Sequence, residues 1–418
     1  MELRNTICLA LAVLLSAVVN HGATAQWKGT VRDSAGITIV SNTDQGSWNS
    51  STQWRVEEEL RIGVAEGDPN YQFGRIGWIT AGSDRTIYVL DQQGQHVRAF
   101  SSEGQYVNTF GGPGAGPGEL GAGVIFVLTG PGDTLFVPDV VNRRVNLFSP
   151  GGSDAGSFPL DIQKGLPTVW KGTSAGIVAC QVRPLNLPQP TVAAAASTRD
   201  TTDAIVLYDT KGSAIDTVLK FPSGKTLNLG GSNPEINLYS PEPVWHLADD
   251  MKVLYGVNDN YRIWVYSAAG ELERIIEMPF EQVPVGERDK RLIMEFLEEA
   301  WVDAGVPPSA LTQLRSFVHF GEFIPAFATA QTGPAGTIWV QHSQPASELS
   351  DEELEGYNPL EASGAPEWDV FDTDGKFLGV VTMPPRVAPR LFRGDRVYGV
   401  ARGEYDVQYV VRLRIVGM

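Results

Sequence analysis

Residues 132–152 read GDTLFVPDVVNRRVNLFSPGG. Two apolar runs, LFVPD and RVNLF, flank a short polar link, and a glycine-bearing turn follows the second. This is the pattern of antiparallel strands joined by tight hairpins. The end of the stretch recurs along the chain. Phe148-SPG-Gly152 has counterparts in Phe100-SSE-Gly104, Tyr208-DTK-Gly212, Tyr266-SAA-Gly270 and Phe371-DTD-Gly375. Each follows one apolar run and precedes another, such as QYVNTF, ELERII or KFLGVV. Glycine there supplies the positive φ that a hairpin turn requires.

Upstream of each hairpin lies a turn and a further apolar strand: DRTIYVLD (84–91), GDTLFVPD (132–139), AGIVACQ (175–181), MKVLYGV (251–257), GTIWVQH (336–342) and DRVYGVA (395–401). One more short strand precedes each, RIGWIT, GVIFVL, TVWKG, PVWHL, AFATA and, in the sixth, APRLF. The unit is therefore four strands repeated six times, which predicts an all-β, six-bladed β-propeller of four-stranded antiparallel blades. Asp139-Val-Val-Asn142-Arg-Arg144-Val145 followed by NLFSPGG resembles the NHL repeat of such propellers, and Asn260-Tyr-Arg262-Ile263 and Asp91 keep parts of it. The likeness is close over 72–160 and in phase to the end, and implies a TolB-like propeller of the secreted bacterial type. The third, fifth and sixth units lack the Asp-x-x-Asn-x-Arg pattern. Some propellers of this architecture are zinc lyases or calcium-dependent lactonases, so the resemblance permits an enzyme without requiring one.

The last strand ends Leu413-Arg-Ile-Val-Gly417-Met418, at a hairpin turn and one strand short of a blade. WRVEEELRIG (54–63) is expected to supply the missing strand and close the ring, which would remove exposed sheet edges. The propeller then spans 54–418, after an extension, 26–53, whose own hairpin GTVRDSAGITIVS (29–41) has no assigned place. Long insertions fall at 182–203, 343–366 and 281–321. The first two lie between the second and third strands of blades 3 and 5, and the last joins blade 4 to blade 5. In a propeller these connections all emerge on one face, and loops on a rigid scaffold carry function. In 281–321, Leu292, Ile293, Phe296, Leu297, Ala300 and Trp301 form a helical apolar stripe, ended by Gly305 and Pro307-Pro308. That stripe either packs on the propeller's own rim or makes a lid over the channel mouth. Ser350-Asp-Glu-Glu353 resembles a helix capping box.

Residues 1–25 read as a secretory signal peptide, with Arg4, an apolar run from Cys8 to Val19, and Ala23-Thr24-Ala25 before Gln26. Export to the periplasm or the extracellular space follows, with no later span able to cross a membrane. A net charge of −17 argues against nucleic acid or anionic lipid as partner. Beyond the signal one cysteine is left, Cys180, which reads as a small buried hydrophobe without a base to activate it.

Aligning the strand exits on the insertion-bearing face singles out Asp91, Asp139, Gln181 and His342, and PVWHL places His246 on an inner strand. These five are the candidate ligand-binding residues. The aspartates have a second reading, as caps that accept hydrogen bonds from loop amides. His96, His246, His319 and His342 show no metal-binding spacing. No catalytic residue, metal site or cofactor is assigned, with calcium and zinc left open. Gly116-Pro-Gly118-Glu-Leu-Gly121 matches G-x-G-x-x-G, but it lies between β runs with no helix to receive a pyrophosphate, and reads as the crossover from blade 1 to blade 2. The expected function is binding of a protein, peptide or small polar ligand on the insertion face. The alternative is a metal-dependent hydrolase or lyase, lactonase-like, at the channel mouth.

Overall fold

The computed structural model describes residues 26–161, 165–173, 176–184, 202–209, 211, 213–224, 227–228, 235–354, 359 and 364–418. The signal-like segment, residues 185–201, parts of 343–366 and Gly212 lie outside the described residues.

The hairpin periodicity folds into an all-β propeller of six blades, mostly four-stranded and antiparallel, with few helices. From the inside outward, blade 1 is Ile76–Ala81, Ile87–Asp91, His96–Phe100 and Tyr106–Gly111. Blade 2 is Leu128–Thr129, Leu135–Asp139, Arg144–Phe148 and Asp154–Pro159, and blade 3 is Leu166–Gly172, Val178–Arg183, Thr202–Tyr208 and Ala214–Pro222. Blade 4 is Pro243–Leu247, Val253–Val257, Arg262–Tyr266 and Leu272–Glu277, and blade 5 is Thr329–Thr332, Ile338–Gln341, Glu367–Phe371 and Phe377–Thr382. The N-terminal hairpin of β1 (Thr30–Ser34) and β2 (Ile37–Ser41) lies on the outer edge of blade 4, with β2 parallel to Leu272–Glu277. Blade 6 holds Val387–Arg393, Arg396–Arg402 and Gln408–Val416, followed outermost by β3 (Arg55–Ile62), paired from Ile62↔Val410 to Arg55↔Val416.

The recurring glycines do what the turn demands. Gly104, Gly152, Gly270 and Gly375 hold φ of 81°, 82°, 77° and 84°. Beside each turn the register of the two outer strands slips by a residue at the aromatic, as between Ala99 and Phe100 or Val370 and Phe371. An αL glycine with a bulge is the geometry that joins twisted strands through a short loop. One expected strand is mostly absent: of GVIFVL, only Leu128 enters the ladder, with Thr129. Upstream, Gly121 N–H donates to Asp139 and the Val124 carbonyl accepts from Gln92 Nε2, so side chains hold this backbone in place of a neighbouring strand.

The core is a ring of layers between blades. Val97 and Phe110 of blade 1 pack on Leu135, Val137 and Phe148 of blade 2, with the Phe110 and Phe148 rings 5.0 Å apart. Between blades 5 and 6, Trp339 and Trp368 pack with Val411, Leu413 and Phe392. After blade 4 the chain forms α1 (Glu287–Asp303) and α2 (Pro308–Arg315). Ile293 and Leu297 of α1 pack on Leu238 and Ala346. Leu238 belongs to Glu235–Leu238, in the connection entering blade 4, which pairs with Leu227–Asn228 and, in parallel, with Val318–Phe320. Asp289 of α1 is buried and accepts from Gly286 N–H at 3.2 Å and Ser347 N–H at 2.7 Å, which ties the helix to the blade 5 insertion. The stripe thus covers neighbouring insertions of its own chain, and residues 235–242, entering blade 4 and absent from the sequence reading, are part of the same layer.

Ile62 of β3 is 2% exposed among Ile79, Val89 and Val410. Ile62→Ala should cost about 2–5 kcal/mol in denaturant unfolding through the cavity it leaves. Val31→Ala on the exposed β1 should stay within about 0.5 kcal/mol. Equal effects would mean that the β3 seam does not bear on stability.

Candidate functional site

The five candidate residues are not gathered into one site. Asp91 is 2% exposed and accepts from Gly74 N–H (3.0 Å), Arg75 N–H (3.3 Å), Gly94 N–H (3.1 Å) and Arg98 Nη1 (3.3 Å). Asp139 is fully buried and accepts from Gly121 N–H (2.8 Å), Asn142 N–H (3.0 Å) and Asn142 Nδ2 (2.8 Å). The rest of that motif holds the glycine-rich crossover as well. Asn142 Nδ2 donates to the Gly114 carbonyl, and Arg144 donates to the carbonyls of Ala115, Gly116 and Glu119. The Asp-x-x-Asn-x-Arg residues and FGGPGAGPGELG are two halves of one structural clasp. Gln181 is also buried, donating to Asp203 at 2.5 Å and accepting from Trp245 Nε1 at 2.7 Å. Cys180 is buried, and burial pushes its thiol well above the ordinary range.

His342 stands at the exit of the second strand of blade 5, with 38% of its side chain exposed. Its Nε2 lies 2.9 Å from Asp369 Oδ1, while the other Asp369 oxygen accepts from the buried Tyr261 hydroxyl at 2.5 Å. The hydrogen bond to Asp369 raises the His342 pKa, with burial opposing. Burial and Asp369 together push the Tyr261 hydroxyl well above its usual value. The sequence reading named His342 but not its two partners, which come from blades 4 and 5 and share no local spacing. Among the described residues, no three His, Cys, Asp or Glu side chains stand together as a metal set.

Two cavities bracket the propeller. One, of about 320 Å³, opens on the insertion-bearing face over blades 4 and 5. Its walls are Leu238 and Tyr239, Ile293 of α1, Val244 at the start of an inner strand, Ala328 before another, and Ser343 of the blade 5 insertion. Asn258 also faces it, with its amide engaged by Glu242 N–H and the Phe327 carbonyl. The second cavity lies in the central channel, lined by the late residues of all six inner strands, among them Thr80, Thr129, Lys171, His246, Thr332 and Arg393. Strand direction puts it toward the opposite face. His246 belongs to it, and its Nε2 lies 3.0 Å from Thr332 Oγ1.

No family model matches the chain, and no curated protein matches it. Among solved structures, a member of the DUF4221 family from Bacteroides vulgatus is similar at a TM-score of 0.50 and 11% identity, over 88% of this chain and 99% of that one. A Bacteroides fragilis protein provisionally designated exported gives 0.49 and 12%, over 90% and 99% of the two chains. A virginiamycin B lyase from Staphylococcus aureus gives 0.41 and 10%, over 87% and 100%. At such identities the likeness is one of fold.

Two predictions separate these roles. Asp139→Ala strands buried loop amides and should cost about 2–5 kcal/mol of stability, read by urea unfolding, from the loss of two or more such bonds. A near-neutral result would contradict the clasp. For His342 the folded pKa lies above the unfolded one, so its contribution is complete below the unfolded value of about 6.5 and is lost as pH rises through the folded value. The stability gap between the parent and His342→Gln should therefore be wide near pH 5 and narrow toward pH 9, in matched denaturant titrations. A gap that does not change with pH would remove the Asp369 pair as its source.

Proposed function

We propose that this chain is an exported, NHL-repeat-like propeller of the TolB-like class that binds a small molecule or peptide end at its insertion face. In this reading β3 closes the ring, and the α1–α2 segment is an insertion between blades 4 and 5 that builds one wall of the site. The observation that carries it is the 320 Å³ cavity walled jointly by residues 237–242, α1 and the blade 5 insertion. Its size falls in the range of small-ligand sites, and its lining suits them too: apolar walls with a few polar groups. Three separate stretches of chain are tied together to make it. Leu238, Ile293 and Ala346 share one cluster, and Tyr239 Oη accepts from Ala346 N–H at 2.9 Å. The polar groups of Asn258 and Tyr239 are engaged with protein partners, and the Ser240 and Ser343 hydroxyls, the Gln344 amide and the Glu242 carboxylate stand with loop backbone as the further polar groups of the lining that would orient a ligand. The occupant favoured by this lining is amphipathic, with an apolar body.

A metal-dependent hydrolase or lyase is the second reading, and metal analysis of the purified protein separates it: a stoichiometric, tightly held calcium or zinc would displace the binding role. Deleting 343–366 is a poor test, since Ala346 and Ser347 hold α1 in place. Ser343→Trp fills the cavity instead, without removing a packed apolar side chain. In a thermal-shift panel of amino acids, dipeptides and monosaccharides, the parent should respond to at least one member. Ser343→Trp should lose that response while keeping the parent's melting temperature without ligand. A silent parent, or a variant that responds equally, would sink the assignment.

A further inference from the structure

The cavity on the opposite face has a chemistry that the binding reading does not use. Lys171 projects from the inner strand of blade 3 into the central channel, in the same place that His246 occupies in blade 4 (TVWKG against PVWHL). Arg390, over the Trp78 ring, and Arg393, bonded to the Ala81 carbonyl, line the same space from blade 6. Asp249 is the carboxylate of this lining, and both it and Arg390 have interactions of their own. Among the described residues Lys171 has neither an ion pair nor a hydrogen bond. Burial first, and the Arg390 charge second, lower its pKa to about 8. Burial and Lys171 in turn hold His246 neutral, its pKa down at about 3, and His246 Nδ1 is enclosed without a partner.

An acidic chain, with a net charge of −17, has thus collected three cationic side chains around one small cavity. Lys171 is half-buried, and holding its unpaired ammonium in the channel works against folding, because part of its hydration is given up without a counter-charge. A carboxylate on a neighbouring inner strand would have relieved it. The 90 Å³ of water-accessible space has room for about six waters, enough for a compact polyatomic ion. Of the threonine hydroxyls on its wall, Thr80 bonds to Thr129, Thr129 donates to the Ala81 carbonyl, and Thr332 pairs with His246, while Thr173 accepts from Ile177 N–H and keeps its proton to donate.

We propose that this end of the channel is an anion-binding site, in which Lys171, Arg390 and Arg393 receive a small oxyanion. The guanidinium groups offer paired N–H donors, and the lysine supplies a point charge. The oxyanion replaces the missing counter-charge, so binding should draw the Lys171 proton on more tightly.

Sulfate and acetate serve as probes on the full chain, titrated by calorimetry and thermal shift against sodium chloride at matched ionic strength. Saturable binding of sulfate, acetate or both is expected from the parent; sulfate alone would mark a tetrahedral oxyanion, and acetate alone a carboxylate. The affinity should fall as pH rises through about 8, where Lys171 loses its proton. Lys171→Met should weaken binding about ten- to a hundredfold, the scale of one charge-assisted hydrogen bond, while keeping or raising the melting temperature. Ser343→Trp should leave anion binding intact, which separates this site from the insertion-face cavity. No binding beyond the chloride control overturns the proposal, as does a parent affinity that stays flat from pH 7 to 9. Undiminished binding by Lys171→Met overturns it too. Should Lys171→Met fail to fold, the pH dependence of the parent decides alone.

Discussion

Side chains clasp the backbone that enters the inner strands of blades 1, 2 and 4 of this propeller. An outer-to-inner crossover has no ladder partner for much of its length, so its amides and carbonyls must be met by something else. In blades 1 and 2 that partner is the aspartate at the exit of the second strand, assisted by an arginine on the third. Asp91 holds Gly74 and Arg75 while Arg98 takes the Gln72 carbonyl, and Asp139 holds Gly121 while Arg144 takes three carbonyls. In blade 4 the uncharged Asn258 does the same for Glu242 N–H, and in blade 6 Gln408 reaches across to Ile76 N–H at 2.6 Å. The chemistry changes from blade to blade, but the obligation is constant.

That constancy explains what could be read from the sequence. The aromatic-x-x-x-glycine spacing was legible because a turn needing positive φ leaves few residue choices, and Gly104 and its counterparts occupy that region. FGGPGAGPGELG was legible as a crossover from its β neighbours, although its attachment to Asn142 and Arg144 is set by distances that no local pattern encodes. The repeat weakens where carboxamides replace the aspartate, as at Asn258, and there the family resemblance fades while the clasp persists. Pairings distant in sequence were the least legible. Glu235–Leu238 runs parallel to Val318–Phe320, some eighty residues on, and neither segment is long enough to show its own periodicity. The insertion layer was therefore seen as a helix with an apolar stripe, without the small sheet that receives it.

The same limit applies to the candidate residues. Comparing second-strand exits finds polar side chains that face crossovers, so it selected Asp91, Asp139 and Gln181, whose bonding is already filled by protein. Comparing inner strands instead sets Lys171 beside His246, since TVWKG and PVWHL carry them at the same inward place. The inner strands face the channel, and there a polar side chain has no crossover to hold.

Polar satisfaction therefore sorts structural residues from site residues more sharply than polarity or position does. Asp139 is more deeply buried than Lys171, yet its burial is offset by the amides and the carboxamide bonded to it. Lys171 has no such partner among the described residues, and its lowered pKa expresses that lack. A buried aspartate within a full set of donors specifies a loop; a lysine facing a polar cavity among further cations specifies a charge yet to arrive. On this ground the two faces divide the work. The insertion face presents apolar walls assembled from three stretches of chain, and the opposite face presents the Lys171 ammonium, without a partner among the described residues, on a rigid inner strand.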